Sequence, residues 1–188
     1  MVDTHSFYLQ HAITYGDFTL TPSVRYDHVR NRGEQNDAPF YNHAELGHDY
    51  SDKTYTGWSP RLSGFWKINP NTALFVDYSK TWRAPVIDEQ YELQGLGSRT
   101  ATSLNLKPEV ITGWRAGNIT NFDHIFGDND HALIRTTLFR NTVDNEIFKA
   151  TGVGCAAQTA AGSMSKDCGP GNIPNYRNIG SVTIKGFE

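Results

Sequence analysis

Trp58-Ser59-Pro60-Arg61-Leu62-Ser63-Gly64-Phe65-Trp66-Lys67-Ile68-Asn69-Pro70-Asn71-Thr72-Ala73-Leu74-Phe75-Val76-Asp77-Tyr78-Ser79-Lys80-Thr81-Trp82 reads as two strands and the turn between them. In the first strand Trp58, Leu62, Trp66 and Ile68 share a parity, and Ser59, Arg61, Ser63 and Lys67 take the other. In the second, Leu74, Val76, Tyr78 and Trp82 oppose Ala73, Asp77, Ser79 and Thr81. Period-2 alternation marks strands with one apolar and one polar face. Asn69-Pro70-Asn71-Thr72 supplies the turn residues.

The same unit extends in both directions. Phe7, Leu9, Ile13 and Tyr15 alternate with Ser6, Gln10, Ala12 and Thr14. Beyond Tyr15-Gly16-Asp17-Phe18, the residues Phe18, Leu20, Val24 and Tyr26 oppose Thr19, Thr21, Ser23, Arg25 and Asp27. Downstream, a third tight connection is expected at Gly127-Asp128-Asn129-Asp130. Long polar connections fall at 30–55, 84–108 and 149–175, so short and long strictly interleave. An antiparallel up-and-down sheet follows, with all turns at one end and all loops at the other. Outer-membrane barrels are built this way. Strand-like stretches near 109–123, 131–148 and 176–188 bring the total to seven, with noisier alternation. Ile111, Arg115 and Ile119 share a parity, and His11 and Lys80 sit on apolar faces.

Composition is compatible with that class. The mean hydropathy is low, and no apolar run approaches the ~20 residues of a membrane helix. A barrel strand shows lipid only every second residue, so low hydropathy is expected. The stretches match the ~9–11 residues of a tilted membrane strand better than the usual soluble one. Tyr15, Phe18, Tyr55, Trp58, Trp82 and Phe126 fall near strand ends, as girdle aromatics do. The alternative is a soluble β-sandwich, in which they would be core. A net charge of −3 does not point to nucleic acid. Met1-Val2-Asp3-Thr4 opens no secretory signal.

Seven strands, the first beginning at the loop end, are not a closed bacterial barrel. The chain is expected to be part of a larger one. Its two open edges would leave backbone groups unpaired in lipid, so alone it should misfold or aggregate.

Two segments frame the second loop. One is Lys80-Thr81-Trp82-Arg83-Ala84-Pro85, continuing into Ile87-Asp88-Glu89-Gln90-Tyr91-Glu92; the other is Ser103-Leu104-Asn105-Leu106-Lys107-Pro108-Glu109. Pro85 lacks an N–H and must stop the ladder; Pro108 can open the next strand. Trp82, Arg83, Ala84 and Pro85 resemble the "FRAP" box of TonB-dependent haem and haemoglobin receptors, with Trp for Phe. Asn105, Leu106, Lys107, Pro108 and Glu109 resemble the end of their "NPNL" box. Arg135–Asn141 with Asp144–Ile147, and Asn178–Val182 leading to Glu188, are similar to the late strands of that family. Siderophore and cobalamin receptors carry looser versions of both boxes.

The resemblance implies an all-β, 22-stranded barrel with a plug in its lumen. Residues 1–188 would be part of the barrel, without the plug. It implies outer-membrane localisation, capture of haem or a haem-carrying protein by the loops, and uptake energised by TonB through the plug. A ferric-siderophore receptor is the alternative. Haem would be cargo, with no resident cofactor. In many such receptors a histidine between the boxes binds the iron. None lies between Arg83 and Glu109 here, which leaves Tyr91 as the candidate ligand, although tyrosine at this point also occurs in receptors that bind no haem.

The other candidate groups sit in the flanking loops. His43 and His48, with Tyr41, Tyr50, Glu45, Asp49 and Asp52, read first as solvated loop residues and second as haem contacts; their spacing is not that of a helical metal motif. Cys155 and Cys168 lie in a Gly-rich loop and are expected to pair, which would stabilise that loop by roughly 3 kcal/mol. No nucleophile elbow or catalytic arrangement is present, so no enzyme activity is expected.

Overall fold

The computed structural model describes every residue except 35–48, 93–99, 124, 126, 128–129, 150–172 and 175. Its strands are β1 (Val2–Gln10), β2 (Ile13–Tyr15), β3 (Phe18–Asn31), β4 (Lys53–Asn69) and β5 (Thr72–Arg83). A short helix α1 (Ile87–Tyr91) follows, then β6 (Thr100–Ala101), β7 (Glu109–Asp123), β8 (His131–Asp144) and β9 (Ile147–Lys149). The chain ends through β10 (Ile173–Pro174), β11 (Tyr176–Asn178) and β12 (Val182–Phe187). The main sheet runs β1-β3-β4-β5-β7-β8-β12, with β2 also on β3, and every pairing in it is antiparallel.

β1 and β2 are one strand with a gap. The register is unchanged across it, from Gln10 opposite Ser23 to Ile13 opposite Leu20. The gap falls opposite Pro22. The His11 N–H donates to the Pro22 carbonyl at 3.1 Å, but Pro22 has no N–H to return the bond. The expected seven strands are therefore present. The first two turns are tight, and Gly16 takes φ +57° to make the first. The third connection runs over 124–130 and is partly outside the described residues.

This is a single layer. Among the described residues the buried hydrophobics are only Ala73, Tyr91 and Leu106. Phe7, Leu9, Trp58 and Val76 are all more than half exposed, on one face. A β-sandwich would cover that face with a second sheet; a membrane strand leaves it to lipid. The opposite, concave face carries Arg25, Arg61, Asp77, Ser79 and Arg115. On it the Asp77 carboxylate accepts from Arg61 at 3.0 Å, from Arg115 at 2.8 Å and from Ser63, tying β4, β5 and β7 together.

β7 keeps its mixed parity in the structure. Ile111, Arg115 and Ile119 share the concave face with Gly113 and Gly117. The bare Gly117 seats the Phe75 ring, where an added Cβ would stand 2.8 Å from it and 1.9 Å from the Thr136 carbonyl oxygen. Arg135 lies over that ring, 4.8 Å from its centroid. Phe75 of β5 is thus accommodated on the polar face of the sheet.

Two of the expected girdle aromatics turn inward instead. The Trp82 indole lies on Gly57, where an added Cβ would meet it at 2.2 Å, and borders a cavity with Thr4, Arg25, Asp27 and Ser59. Tyr55 engages the loop network described below. Phe126 lies outside the described residues.

The paired rows step along the strands. One outward row passes His11, Pro22, Leu62, Tyr78, Trp114, Arg140 and Lys185. It starts near the turn end of the first strand and finishes near the loop end of the last. That stagger is what tilted barrel strands require.

Candidate functional site

The loop end of the sheet is organised by the two box segments. β5 stops at Arg83 and β7 starts at Glu109, directly opposite each other. Arg83 Nε donates to Glu109 Oε2 at 2.7 Å. Its Nη1 and Nη2 grip both oxygens of Glu89, at 2.9 and 3.0 Å. Paired donors matched to a carboxylate are a property of arginine that lysine lacks. Glu89 also accepts from the Val86 N–H at 2.9 Å, closing the first turn of α1. Glu109 Oε1 accepts from the Ile147 N–H at 2.7 Å. One guanidinium therefore fixes the end of β5, the loop helix, the start of β7 and the start of β9.

A second centre lies beneath it. Asn31, the last residue of β3, is buried, and its amide donates to the Pro85 carbonyl at 2.7 Å and to Gln90 Oε1. Gln90 is fully buried; its amide donates to Tyr55 Oη at 2.6 Å, and its carbonyl accepts from the Ser103 N–H at 2.7 Å. Tyr55 Oη in turn donates to the Leu106 carbonyl at 3.4 Å. Both box segments are thus hydrogen-bonded through one pair of buried amides. Buried amides persist only when their partners are in place.

Lys107 and Asn178 form the third centre. The Lys107 N–H donates to Asn178 Oδ1 at 2.8 Å, and Asn178 Nδ2 returns a bond to the Lys107 carbonyl at 2.9 Å. Asn178 also donates to the Asn145 carbonyl at 2.7 Å. Asn145 takes φ +58° at the turn from β8 to β9. Glu92 accepts from Lys149 at 2.6 Å and from Tyr176 Oη at 2.7 Å, joining the second loop to the third. β9 pairs with β11, and β6 with β10.

The Glu92 carboxyl is held below its ordinary value of 4.5, by Lys149 first and Tyr176 next, against a smaller opposing effect of burial. A lowered carboxyl stabilises the folded form above its unfolded value and loses that effect as the pH falls through its folded one. The clasp should be complete at neutral pH and open progressively below about pH 4.5. Amide exchange at Tyr176, whose N–H donates to Ser103 Oγ at 2.9 Å, should speed up there. Glu92→Gln should remove the pH difference. Equal acid sensitivity in that variant would refute the assignment.

Tyr91 stands inside the second loop, but not as a free donor. It is buried, its ring stacks on Tyr50 at 6.2 Å, and its hydroxyl donates to the Ser51 carbonyl at 2.8 Å. Burial, then Asp52 and Asp49, push its hydroxyl above the usual range, away from the phenolate that binds ferric iron. His43, His48, Cys155 and Cys168 lie outside the described residues. Among the described residues no group of histidine, cysteine and carboxylate side chains is arranged to hold a metal. The carboxylates of Glu89, Glu92 and Glu109 face arginine, lysine, tyrosine or backbone N–H groups and fasten the loops.

Asn31 ends an ordinary strand and carries no local signal; Asn178 belongs to a recognisable segment, but its partners lie up to 71 positions away. Arg83, Pro85, Leu106, Lys107 and Glu109 were legible as motif members, and each has a definite part in the network.

A profile of the family described as "TonB dependent receptor-like, beta-barrel" matches residues 2–188. The chain belongs to the TonB-dependent receptor β-barrel family. It is 47% identical over 186 residues to TonB-dependent heme receptor A of Haemophilus influenzae, covering 98% of this chain and 25% of that protein. The protein of the same name from Haemophilus ducreyi is 45% identical over 188 residues, with the same shares. The chain thus spans about a quarter of the length of these relatives. In structure it is similar to the Serratia marcescens hemophore receptor HasR, determined in complex with its hemophore HasA and heme. The TM-score is 0.70 at 19% identity, over 99% of this chain and 31% of that one. It is also similar to the ferric-catecholate import receptor Fiu from E. coli, with TM-score 0.59 at 14% identity, over 99% and 24%. The family is an outer-membrane receptor family, and the sheet is a part of its barrel.

Proposed function

We propose that the complete receptor containing this stretch captures haem, free or from a carrier protein, and passes it inward across the outer membrane. A plug would occupy the concave face, and TonB would supply the energy through it. The observation that carries this reading is the 47% identity to a heme receptor along nearly the whole chain. The structural likeness bears on fold alone, since it extends to a catecholate receptor as well. The long loops would bind the cargo, and the Arg83, Gln90 and Asn178 centres would hold their roots in place.

Titration of the complete receptor with haem tests the reading. A saturable Soret change is expected, together with growth on haem as sole iron source that is lost without TonB. A receptor that shows no Soret change, but binds a ferric catecholate, would belong to the siderophore branch. His43 and His48 remain candidates for haem contact in the first loop, and their alanine variants should weaken the titration if they supply it.

A further inference from the structure

We propose that the outward face near the loop ends of β5, β8 and β12 binds the phosphate groups of an outer-leaflet glycolipid of the lipid A type. The proposal rests on the outer-membrane reading, but not on haem as cargo. Arg140 and Lys185 are direct cross-strand partners on the outward face. They share it with Leu138 and Phe187, one paired row away. Like charges directly opposite each other repel, and cations on a lipid face are costly unless they reach an interface or a counter-ion. Arg140 is exposed within the sheet, and Lys185 is exposed on β12, the edge strand, which pairs only with β8 among the described residues. Neither has an ion-pair partner among the described residues. The one carboxylate on that face of β8, Asp144, accepts instead from Ser181.

The surroundings fit a phosphate. Next to this pair runs a row of hydroxyls, Thr112, Thr142 and Thr183, with Thr142 and Thr183 Oγ1 3.4 Å apart. Lys80 ends that row on β5, opposite Thr112, and is likewise exposed. Two strand spacings, roughly 10 Å, separate Lys80 from β8, within reach of a flexible side chain and a two-phosphate head group. Trp114, the other neighbour of Arg140, is exposed beside it, as an interfacial aromatic would be. All three cations lie within a few residues of the loop end of their strands. In a tilted barrel this is the level of the outer head groups, which commits the site to that leaflet. Arg and Lys with hydroxyl donors are the side chains that bind phosphate oxygens best.

The test is native mass spectrometry of the complete receptor in detergent, titrated with diphosphoryl lipid A. Dephosphorylated lipid A and phosphatidylglycerol serve as comparisons. The unmodified receptor should prefer the diphosphoryl form to both by about tenfold or more. Arg140→Gln with Lys185→Gln should lose that preference while retaining the heat-resistant migration of a folded barrel. Should the double variant not fold, Lys80→Gln and Lys185→Gln singly should each lower the preference. Equal binding of the dephosphorylated form, or of phosphatidylglycerol, would overturn the proposal. So would full binding by a folded double variant. Haem titration is a separate readout: lipid binding without haem binding would sink the haem reading and leave this one standing.

Discussion

Arg83→Ala should detach the loop bases from the barrel rim while leaving the strands paired. The guanidinium holds Glu89 and Glu109, whose side chains are 15% and 11% exposed, and is itself 39% exposed. Removing it leaves two sheltered carboxylates without a cation. Such a loss costs about 3–5 kcal/mol when fully buried. Solvent reaches Arg83, so about 2–3 kcal/mol is the fitting magnitude here. The loss is local, because the cross-strand ladder between Arg83 and Glu109 is backbone. Amide exchange at Val86 and Ile147, whose N–H groups donate to the same two carboxylates, should accelerate by roughly 30- to 150-fold. Amides in the middle of β5 and β7 should not change. Arg83→Lys should fall between, since one ammonium cannot grip both oxygens of Glu89 and also reach Glu109. Unchanged exchange in Arg83→Ala would show that the network is ornamental.

How much of this was legible in the sequence depends on how far apart the cooperating residues lie. The hairpin of β4 and β5 could be read because alternation and a turn signal sit in one short stretch. The tight-turn and long-loop order needed only connector lengths. Parity places Trp82 outward, whereas the bare Cα of Gly57, on a strand that precedes it, offers the indole a flat seat on the inner side. Phe75 on the polar face of β5 is seated by the bare Gly117 of β7, again a pair on different strands. The loop helix α1 was not foreseen. It is too short to show a period, and its first turn is closed by Glu89, itself held by Arg83. Motif membership pointed to Arg83 and Glu109 without saying what they do. The structure supplies the reason: they are adjacent across the sheet.

Tyr91 provides the sharpest separation between a ligand and an anchor. As the iron ligand it would need a free, ionised oxygen aimed at the cargo. Its hydroxyl instead donates to the Ser51 carbonyl, its ring lies on Tyr50, and burial keeps the proton on. Tyr91→Phe keeps the ring and deletes the hydroxyl's contacts with the Ser51 carbonyl at 2.8 Å and the Asn31 carbonyl at 3.3 Å, a loss of about 1–2 kcal/mol. If the complete receptor takes haem as proposed, its Tyr91→Phe variant should therefore show an unchanged Soret spectrum. Tyr91→Ala removes a buried aromatic, which costs about 3–5 kcal/mol in a packed setting. Exchange at the Gln90 and Ser103 amides should rise steeply, because Tyr91 sits beside the fully buried Gln90 that joins the two boxes. Haem affinity should then fall through loss of loop geometry, with the spectrum of whatever remains bound unaltered. A spectral shift in Tyr91→Phe would reverse the assignment. The tyrosine would then have to leave Ser51 on haem binding, and Tyr91→His should restore affinity with a spectrum of its own.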